Sequence, residues 1–418
     1  MITYAEALRI VLEAAPLLPD EPVALDQACG RTLSAPIYSP QCVPPFDNSA
    51  MDGFALRLDG STATAGSEFD VFGWQAAGDA ASVAGNGAWE IMTGARLPDG
   101  LDSVVPVEQV EVLRSEGGRP LRVRLRADVA PFQFVRLRGQ DVQSGEQVLA
   151  EGERLDLNAL SLLHAIGAGQ VRVRARPRAA VIATGKELVS QAGQALQSGQ
   201  IRDSSRPALV ARLQLAGAQV VADALVGDEV AAFDAALDQA LAAGAQVLVS
   251  TGAVSAGRYD FIPAALQARG AHILFHKVAI RPGKPVLFAR LPCGALYFGL
   301  PGNPVSTAVG QRFFVEPLLR GMLGLPAEVA LRLPLLTAAD KPEGLRFHAR
   351  ARVEIDASGQ LGVRVLAGQE SFRLKSSLRA NAWAVLDETG DHVPAGTRVQ
   401  VVGWGHATPL QVNRQEQA

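Results

Sequence analysis

The chain has 418 residues, which is enough for about two to four domains that each bury a core of their own. Its apolar content of 48% and charged content of 19% are typical of a soluble globular protein. The formal net charge is −3, from 39 basic and 42 acidic residues, so we expect neither nucleic acid nor an anionic membrane as a partner.

Cys29, Cys42 and Cys293 have no metal-ligand spacing and do not suggest a disulfide framework. No signal-peptide core or membrane-length apolar run is present, which predicts a cytoplasmic protein.

The first part of the chain predicts two interleaved domains. Residues 3–18 have helical apolar spacing, and Thr3 followed by Glu6 has the form of a capping box. From 45 to 142, short alternating strands are separated by Gly and Asp turns, which predicts an all-β insertion domain. Residues 1–44 and 143–177 then form an N-terminal helix and a small mixed domain, which the insertion interrupts.

The rest of the chain predicts two further domains. Over 178–325, buried apolar runs alternate with helical segments, which indicates a three-layer α/β domain with a mostly parallel sheet. Over 326–418, short strands alternate with turns, which indicates a C-terminal β-barrel-like domain. The predicted fold class is therefore multidomain α/β plus β.

The most informative stretch is 246–306, where strand-like runs end in loops of Gly, Pro and charged residues. Ligands of open α/β sheets bind beyond the carboxyl ends of the strands. Lys277, Arg281 and Lys284 lie around a Pro-Gly turn there without interleaved acids, so an anionic ligand would relieve their mutual repulsion. A solvated charge cluster is the alternative. The loop before Ser306 resembles an anion-binding helix start, because small residues allow close approach and Pro304 opens a helix.

The other candidate site residues could instead have ordinary structural roles. Asp228 and Asp260 each precede a helix that a carboxylate could cap, and Asn303 before Pro304 is a good N-cap. Asp52 before Gly53 is a turn dipeptide. None of the histidines has the spacing of a metal ligand.

Taken together, the motifs resemble the molybdopterin molybdenumtransferase (MoeA) family, which includes the E domain of gephyrin. Each motif alone is a weak signal, but their common order along the chain is specific. They are PFDNSAMDGFA (45–55), IMTGARLPDG (91–100), RLRGQD (136–141), ATGKEL (183–188), GQIRDS (199–204), STGAVSAGRYD (250–260), KVAIRPGKP (277–285), LPGNPVS (300–306) and SSLRANA (376–382).

The resemblance implies a homodimer with its site at the subunit interface, acting in molybdenum-cofactor biosynthesis. The substrates would be molybdate and adenylated molybdopterin, the cofactor Mg²⁺, and the released product AMP. A transient contact with the molybdopterin adenylyltransferase would deliver the pterin.

The resemblance also implies roles for particular residues, with Asp52 and Thr93 facing the α/β domain of the other subunit. Arg346 and Arg350 are further candidates for anion contacts. The implied catalytic residues are Asp52, Asp141, Glu187, Asp228 and Asp260, of which Asp228 and Asp260 would hold the metal. The implied substrate-binding residues are Thr93, Gly252, Ser255, Lys277, Arg281, Lys284, Pro301, Asn303, Pro304 and Ser306.

The chain departs from the family pattern at several of these places. Ala253 stands where a second glycine is usual, and Arg281 where a lysine is common. Gln140 and Lys186 replace acidic residues, and Ser205 replaces a frequent asparagine. These changes affect fine substrate contacts but keep the charge pattern.

Two other functions fit parts of the sequence. A molybdopterin adenylyltransferase would use the α/β module alone, and would not need the β insertion or the C-terminal domain. A scaffold that binds partner peptides, as gephyrin's E domain does, would leave the candidate catalytic residues idle.

Overall fold

The computed structural model describes residues 1–85, 87–254, 260–408, 410 and 412–414. They divide into two compact units: unit 1 contains 1–21, 30–34 and 173–418, and unit 2 contains 22–29 and 35–172. The α-helices are α1 Tyr4–Ala14, α2 Leu157–Ala165, α3 Ser205–Leu215, α4 Val230–Ala242, α5 Ile262–Ala268, α6 Pro304–Gly310 and α7 Glu316–Met322. None of the helices in these ranges is both long and apolar enough to cross a lipid bilayer. The predicted domain boundaries stay a prediction.

Unit 2 is built around a six-stranded sheet with the order β4-β1-β3-β2-β6-β5. Both faces of the strand Gly53–Leu56 are buried, because Phe54 and Leu56 join one apolar cluster and Ala55 joins another. No α-helix occurs among the described residues of 45–142, which agrees with the predicted all-β character. The strands are β1 Gly53–Leu56, β2 Glu68–Gln75, β3 Ala88–Ile91, β4 Ser103–Pro106, β5 Val110–Glu116 and β6 Arg119–Leu125.

Short strands occur outside this sheet. Asn48–Ser49 pairs with Val135–Arg136, and Ile37–Tyr38 pairs with Gln147–Leu149. Further strands occupy Asp20–Ala24 and Gln170–Arg174.

Unit 1 contains the predicted three-layer α/β arrangement, with sheet order β8-β7-β9-β12-β11-β10. Strands β7, β8, β9 and β12 are parallel, while β11 runs antiparallel to both of its neighbours. Val181 and Phe298 face one apolar cluster, and Ile182 and Tyr297 face another, so both sides of the sheet are covered. The strands are β7 Arg178–Thr184, β8 Gln219–Val226, β9 Val247–Thr251, β10 His272–His276, β11 Leu287–Arg290 and β12 Leu296–Leu300; the two-residue strands Leu188–Val189 and Ile201–Arg202 pair beside them.

The helical segments of unit 1 confirm two local predictions. Thr3 caps α1, since its hydroxyl accepts the Glu6 N–H at 3.2 Å. The helix predicted after Asn303 runs from α6 into α7 through a π-helical turn at Gln311–Val315. Helix α1 packs its buried Ala7 and Val11 into the same cluster as Phe314.

The C-terminal part of unit 1 is a β-barrel, as predicted. Its strands pair in the order β15-β14-β16-β17-β13, and the bridge between Leu335 and Val363 joins the end of β13 to β15, closing the ring. Ile280–Arg281 pairs with the start of β14, so this barrel includes a segment from the α/β domain. The strands are β13 Leu331–Pro334, β14 Arg346–Ile355, β15 Leu361–Val365, β16 Ala382–Leu386 and β17 Arg398–Gly403, with shorter pieces at Ala339–Asp340, His392–Val393 and Asn413–Arg414.

A buried histidine links α1 to this barrel. His348 on β14 is fully buried, with its ring centroid 4.0 Å from that of Phe313 and 5.4 Å from that of Tyr4. Neither ring nitrogen has a hydrogen-bond partner in the described structure. Burial, followed by the charges of Arg346 and Arg312, lowers the pKa of His348 well below its usual value.

This environment predicts a loss of stability in weak acid. The pKa of His348 is lower in the folded than in the unfolded chain, so its stabilising effect is complete above about pH 6.5 and is lost as the pH falls below that value. The free energy of unfolding should decline by up to about 1.4 kcal/mol per pH unit there because of this group. Urea unfolding from pH 8 to pH 5 should show a shallower pH slope for His348→Phe than for the wild type. Equal slopes would contradict this account.

Candidate functional site

The carboxyl ends of the parallel strands in unit 1 meet in a set of hydrogen-bonded loops. The Gly252 N–H donates to the carbonyl of Leu300 at 3.1 Å, and the Thr184 hydroxyl donates to the carbonyl of Thr251 at 3.1 Å. On the other side of β7, the Gly185 N–H donates to the carbonyl of Val226 at 3.1 Å. The loops after β7, β8, β9 and β12 therefore lie side by side at one edge of the sheet.

Two glycines allow the central loops to touch. Gly252 has φ +89°, and a Cβ on it would lie 2.6 Å from the Thr184 carbonyl oxygen. A Cβ on Gly302 would lie 3.7 Å from the Gly252 Cα. The Ser205 hydroxyl also reaches this point, donating to the Gly302 carbonyl at 3.4 Å. Backbone atoms of the two glycines and the hydroxyls of Thr184 and Ser205 thus meet at this part of the edge.

Two of the predicted carboxylates lie on the adjoining loops. Asp228 does not cap α4; its Oδ2 accepts the Lys186 N–H at 3.3 Å, and α4 has no side-chain cap. The Glu187 carboxylate folds back over Gly185, within 2.9 Å of where a Cβ on that glycine would stand. Both carboxylates therefore flank the Gly185–Lys186 backbone, and both are at least partly exposed.

Asp260 lies just before α5 and is half-buried. Phe261, rather than Asp260, occupies the N-cap position of that helix. The neighbouring predicted residue Ser255 lies outside the described residues. Sequence reasoning missed His276, whose Nε2 lies 2.7 Å from the Val254 carbonyl oxygen, next to this part of the chain.

The basic residues approach the same edge from β10 and β11. Lys277 follows β10 and Lys284 precedes β11, and the Val278 N–H donates to the Lys284 carbonyl at 2.9 Å. A Cβ on Gly283 would lie 3.4 Å from the Ser306 carbonyl oxygen, so the Pro-Gly turn packs against the first turn of α6.

Lys277 adopts φ +73°, a left-handed conformation that is uncommon for a residue with a side chain. Such conformations concentrate at functional sites.

Among the described residues, no hydrogen bond or ion pair engages the side chains of Lys277, Arg281 or Lys284. Arg281 lies on the short strand that joins the barrel, and it lines an open cavity of about 660 Å³ together with Lys341 and Glu370. The side chains of the two lysines and the arginine are thus unpaired among the described residues, although Asp340 and Glu370 line the same cavity as Arg281. An anion would stabilise such unpaired cations.

The sequence suggested that the backbone N–H groups at the start of α6 would be free to bind an anion, but one of them is already bonded. The Val305 N–H donates to the Ser371 carbonyl at 3.0 Å, and Asn303 makes no side-chain cap. Ser306 is 5% exposed, and the Thr307 hydroxyl donates to the Pro301 carbonyl at 2.6 Å. A long-range contact from the barrel therefore occupies the donor that the sequence suggested for an anion.

The side chains of Arg346 and Arg350 are engaged by other parts of the protein. Arg346 stacks over the Tyr4 ring, 4.8 Å from its centroid, and lines a separate cavity of about 390 Å³. Arg350 is fully buried and donates to the backbone carbonyls of Gly368 and Glu370. Its main role in this structure is to hold the 368–376 loop.

The remaining predicted residues belong to unit 2. The Asp52 Oδ1 accepts the Thr93 N–H at 2.7 Å, so the structure brings these two together. Gly53 cannot be replaced there, because a Cβ would lie 1.9 Å from the Val105 carbonyl oxygen. Asp141 is exposed, and its N–H donates to the Val43 carbonyl at 3.0 Å.

Comparison with known proteins identifies the family of this chain. The "MoeA N-terminal region (domain I and II)" family model matches residues 2–167, the "Probable molybdopterin binding domain" model matches 180–321, and the "MoeA C-terminal region (domain IV)" model matches 332–404. A molybdopterin molybdenumtransferase from Synechococcus elongatus is 38% identical, over 96% of this chain and 99% of that protein. The chain belongs to the molybdopterin molybdenumtransferase family.

Other relatives agree with this assignment. A molybdopterin molybdenumtransferase from Haemophilus influenzae is 33% identical over 97% of this chain and 99% of its own length. The crystal structure of a MoeA protein from Pyrococcus horikoshii matches with a TM-score of 0.77 at 27% identity, over 97% of this chain and 99% of that one. The family and the fold class predicted from the sequence are confirmed, and the chain is a molybdenum-cofactor biosynthesis enzyme of this family.

The left-handed backbone at Gly252 and Ala253 predicts how substitutions there change the stability of the protein. Gly252→Ala would place a Cβ against backbone and should destabilise the protein by roughly 2 kcal/mol. Ala253 already has φ +50°, so Ala253→Gly is the matched control and should change stability by less than about 1 kcal/mol. Urea unfolding of both variants measures the difference. A Gly252→Ala variant as stable as Ala253→Gly would show that the loop tolerates a Cβ.

Proposed function

We propose that this enzyme inserts molybdenum from molybdate into adenylated molybdopterin, with Mg²⁺-dependent release of AMP. The observation that carries the proposal is that the side chains of Lys277, Arg281 and Lys284 make no hydrogen bond or ion pair within the described structure. It lies in the α/β domain whose strand ends carry Glu187 and Asp228. Both substrates are oxyanions, and the family relationship supports the same reaction.

In this proposal each group has a specific role. Gly252 and Gly302 have no side chains, so a phosphate or molybdate oxygen would approach the backbone at the strand ends closely. Lys277, Arg281 and Lys284 neutralise the charge of the bound anions and hold the pyrophosphate next to the carboxylates. The sulfur ligands that receive the metal belong to the pterin, so cysteine ligands are not required.

The donor set at the strand ends suits Mg²⁺. Mg²⁺ is usually held by one or two carboxylates together with substrate phosphates and water, rather than by a cage of protein ligands. No group of three or more potential metal ligands occurs among the described residues, and Asp228 has one oxygen engaged by a backbone N–H. Asp228 and Asp260, with Glu187 nearby, would hold the ion. When bound, it would offset charge on the phosphoanhydride.

The proposal extends to the assembly of the enzyme. We infer a cytoplasmic homodimer in which Asp52, Thr93 and Asp141 of one copy complete the site of the other. The wall of the anion site would be shaped by Pro301, Asn303, Pro304 and Ser306. Ser255 would also bind substrate. The adenylated pterin would arrive through a transient contact with the adenylyltransferase.

The decisive assay follows AMP release from adenylated molybdopterin with Mg²⁺, with and without molybdate. Molybdate-dependent AMP release, with molybdenum retained on the pterin, is the expected result. Consumption of ATP to adenylylate free molybdopterin would instead identify an adenylyltransferase. The absence of both reactions would contradict an enzymatic role and favour a scaffold.

Substitution of a strand-end carboxylate tests the role of Asp228. Asp228→Asn should lower the rate of AMP release at least roughly 100-fold, because a positioned charge beside the phosphoanhydride is lost. Asp238→Asn is the matched control, since that aspartate lies on α4 and pairs with Arg269. Circular dichroism and thermal unfolding check that both variants fold. A rate in Asp228→Asn equal to that of the control would refute the assignment.

A further inference from the structure

A loop in unit 2 holds two phenylalanines in an unusual backbone conformation. Phe132 has φ +61° and Phe134 has φ +53°. Left-handed backbone is a strong outlier for bulky residues, and such strain concentrates at functional sites. The sequence around them, APFQFVR, has no glycine that would relieve it.

Hydrogen bonds fix this loop in place. The Phe132 N–H donates to the Oγ of Ser103 at 2.9 Å, and Ser103 is fully buried. The Val104 N–H donates to the Gln133 carbonyl at 2.8 Å, and the Ala50 N–H donates to the Phe134 carbonyl at 2.8 Å. Hydrogen bonds to the surrounding sheet therefore hold this conformation.

The loop lies beside Asp52 and Thr93. Ser49 pairs with Val135 on one side, and on the other its carbonyl accepts the Gly94 N–H at 2.8 Å. The segment that leads into Asp52 thus runs between the Phe134 loop and the Thr93 loop. Both aromatic residues and the Asp52–Thr93 pair therefore flank residues 48–52, and we refer to them together as one patch of unit 2.

The rings are available for binding. Phe132 is 58% exposed and Phe134 is 38% exposed, and neither ring has an aromatic partner within the described ranges. Met92 and Val107 are also exposed and adjoin the same acid, because Met92 precedes Thr93 and the Val107 N–H donates to the Asp52 carbonyl at 3.0 Å. The exposed carboxylate of Asp52 is therefore close in the chain to exposed aliphatic and aromatic side chains.

We propose that this patch binds the pterin ring of the substrate, with Phe132 and Phe134 stacking on its faces and Asp52 accepting hydrogen bonds from its edge. The inference rests on the proposed function. The pyrimidine edge of a pterin presents a ring N–H beside an amino group, which together match the two oxygens of a carboxylate. The adenine edge presents an amino group beside a ring nitrogen lone pair, which a carboxylate repels. The patch is thus suited to the pterin end of the substrate rather than to the AMP end.

Binding of two separate probes tests this assignment. Isothermal titration of the full-length protein with 6-hydroxymethylpterin should give an affinity that Phe134→Ala or Phe132→Ala weakens roughly tenfold, the usual scale for a stacked base. Affinity for AMP should not change. Phe134→Tyr keeps the ring and should bind the pterin like the wild type. Phe72→Ala is the matched control, because Phe72 is 65% exposed elsewhere in unit 2.

Three results would overturn the proposal. One is wild-type pterin affinity in both alanine variants, or no pterin binding by the wild type. Another is a loss of AMP affinity instead, which would assign the rings to adenine. The third is a change of oligomeric state by light scattering in Phe134→Ala, which would place the rings at an interface between copies. Molybdate-dependent AMP release by the wild type is measured alongside, so that failure of the ring assignment is distinguished from failure of the proposed function.

Discussion

The candidate site depends on the close contact between backbone loops at the carboxyl ends of the parallel strands. Gly252 lies against Thr184 so tightly that a single methyl group would overlap the carbonyl oxygen, and Gly302 lies against Gly252. This contact brings backbone atoms of Gly252 and Gly302 together with the hydroxyls of Thr184 and Ser205 at the centre of the edge. Charged side chains then stand around it, with Glu187 and Asp228 on one side and the lysines on the other. The chemistry proposed for the enzyme requires both features.

The helical segment after β12 supports that edge and attaches the barrel. Arg312 in its π-helical turn donates to the Gly403 carbonyl at 3.1 Å and lies 3.3 Å from the carboxylate of Glu316. Burial alone would raise the pKa of Glu316, but hydrogen bonding to His406 and the charge of Arg312 hold that pKa below its usual value. Glu316 therefore stays ionised and fixes the barrel to α7. Because Arg281 lies on a strand shared with the barrel, this attachment also positions one of the three cations.

Much of this arrangement could be predicted from the sequence, because it follows from local patterns. Apolar runs separated by helical segments predicted the α/β sheet, and the Pro-Gly turn predicted that Lys277 and Lys284 would lie near each other. The antiparallel direction of β11 could not be predicted, since a buried apolar run has the same composition in either direction.

Contacts between residues that are distant in the chain could not be predicted from the sequence either. The Ser371 carbonyl that occupies the Val305 N–H, and the Lys186 N–H that engages Asp228, join residues distant in the chain. The left-handed conformations of Phe132 and Phe134 could not be predicted, because tertiary hydrogen bonds impose them against local preference.

The most direct test of the account is the location of a bound oxyanion. A crystal soaked with tungstate, an isostere of molybdate with strong anomalous scattering, would show where the anion binds. The account predicts an anomalous peak at the strand ends of unit 1, within hydrogen-bonding distance of Lys277 or Lys284 and of the backbone near Gly252 and Gly302, and its loss in a Lys277→Gln, Lys284→Gln double variant. A strong peak elsewhere, with this edge empty, would contradict the central claim.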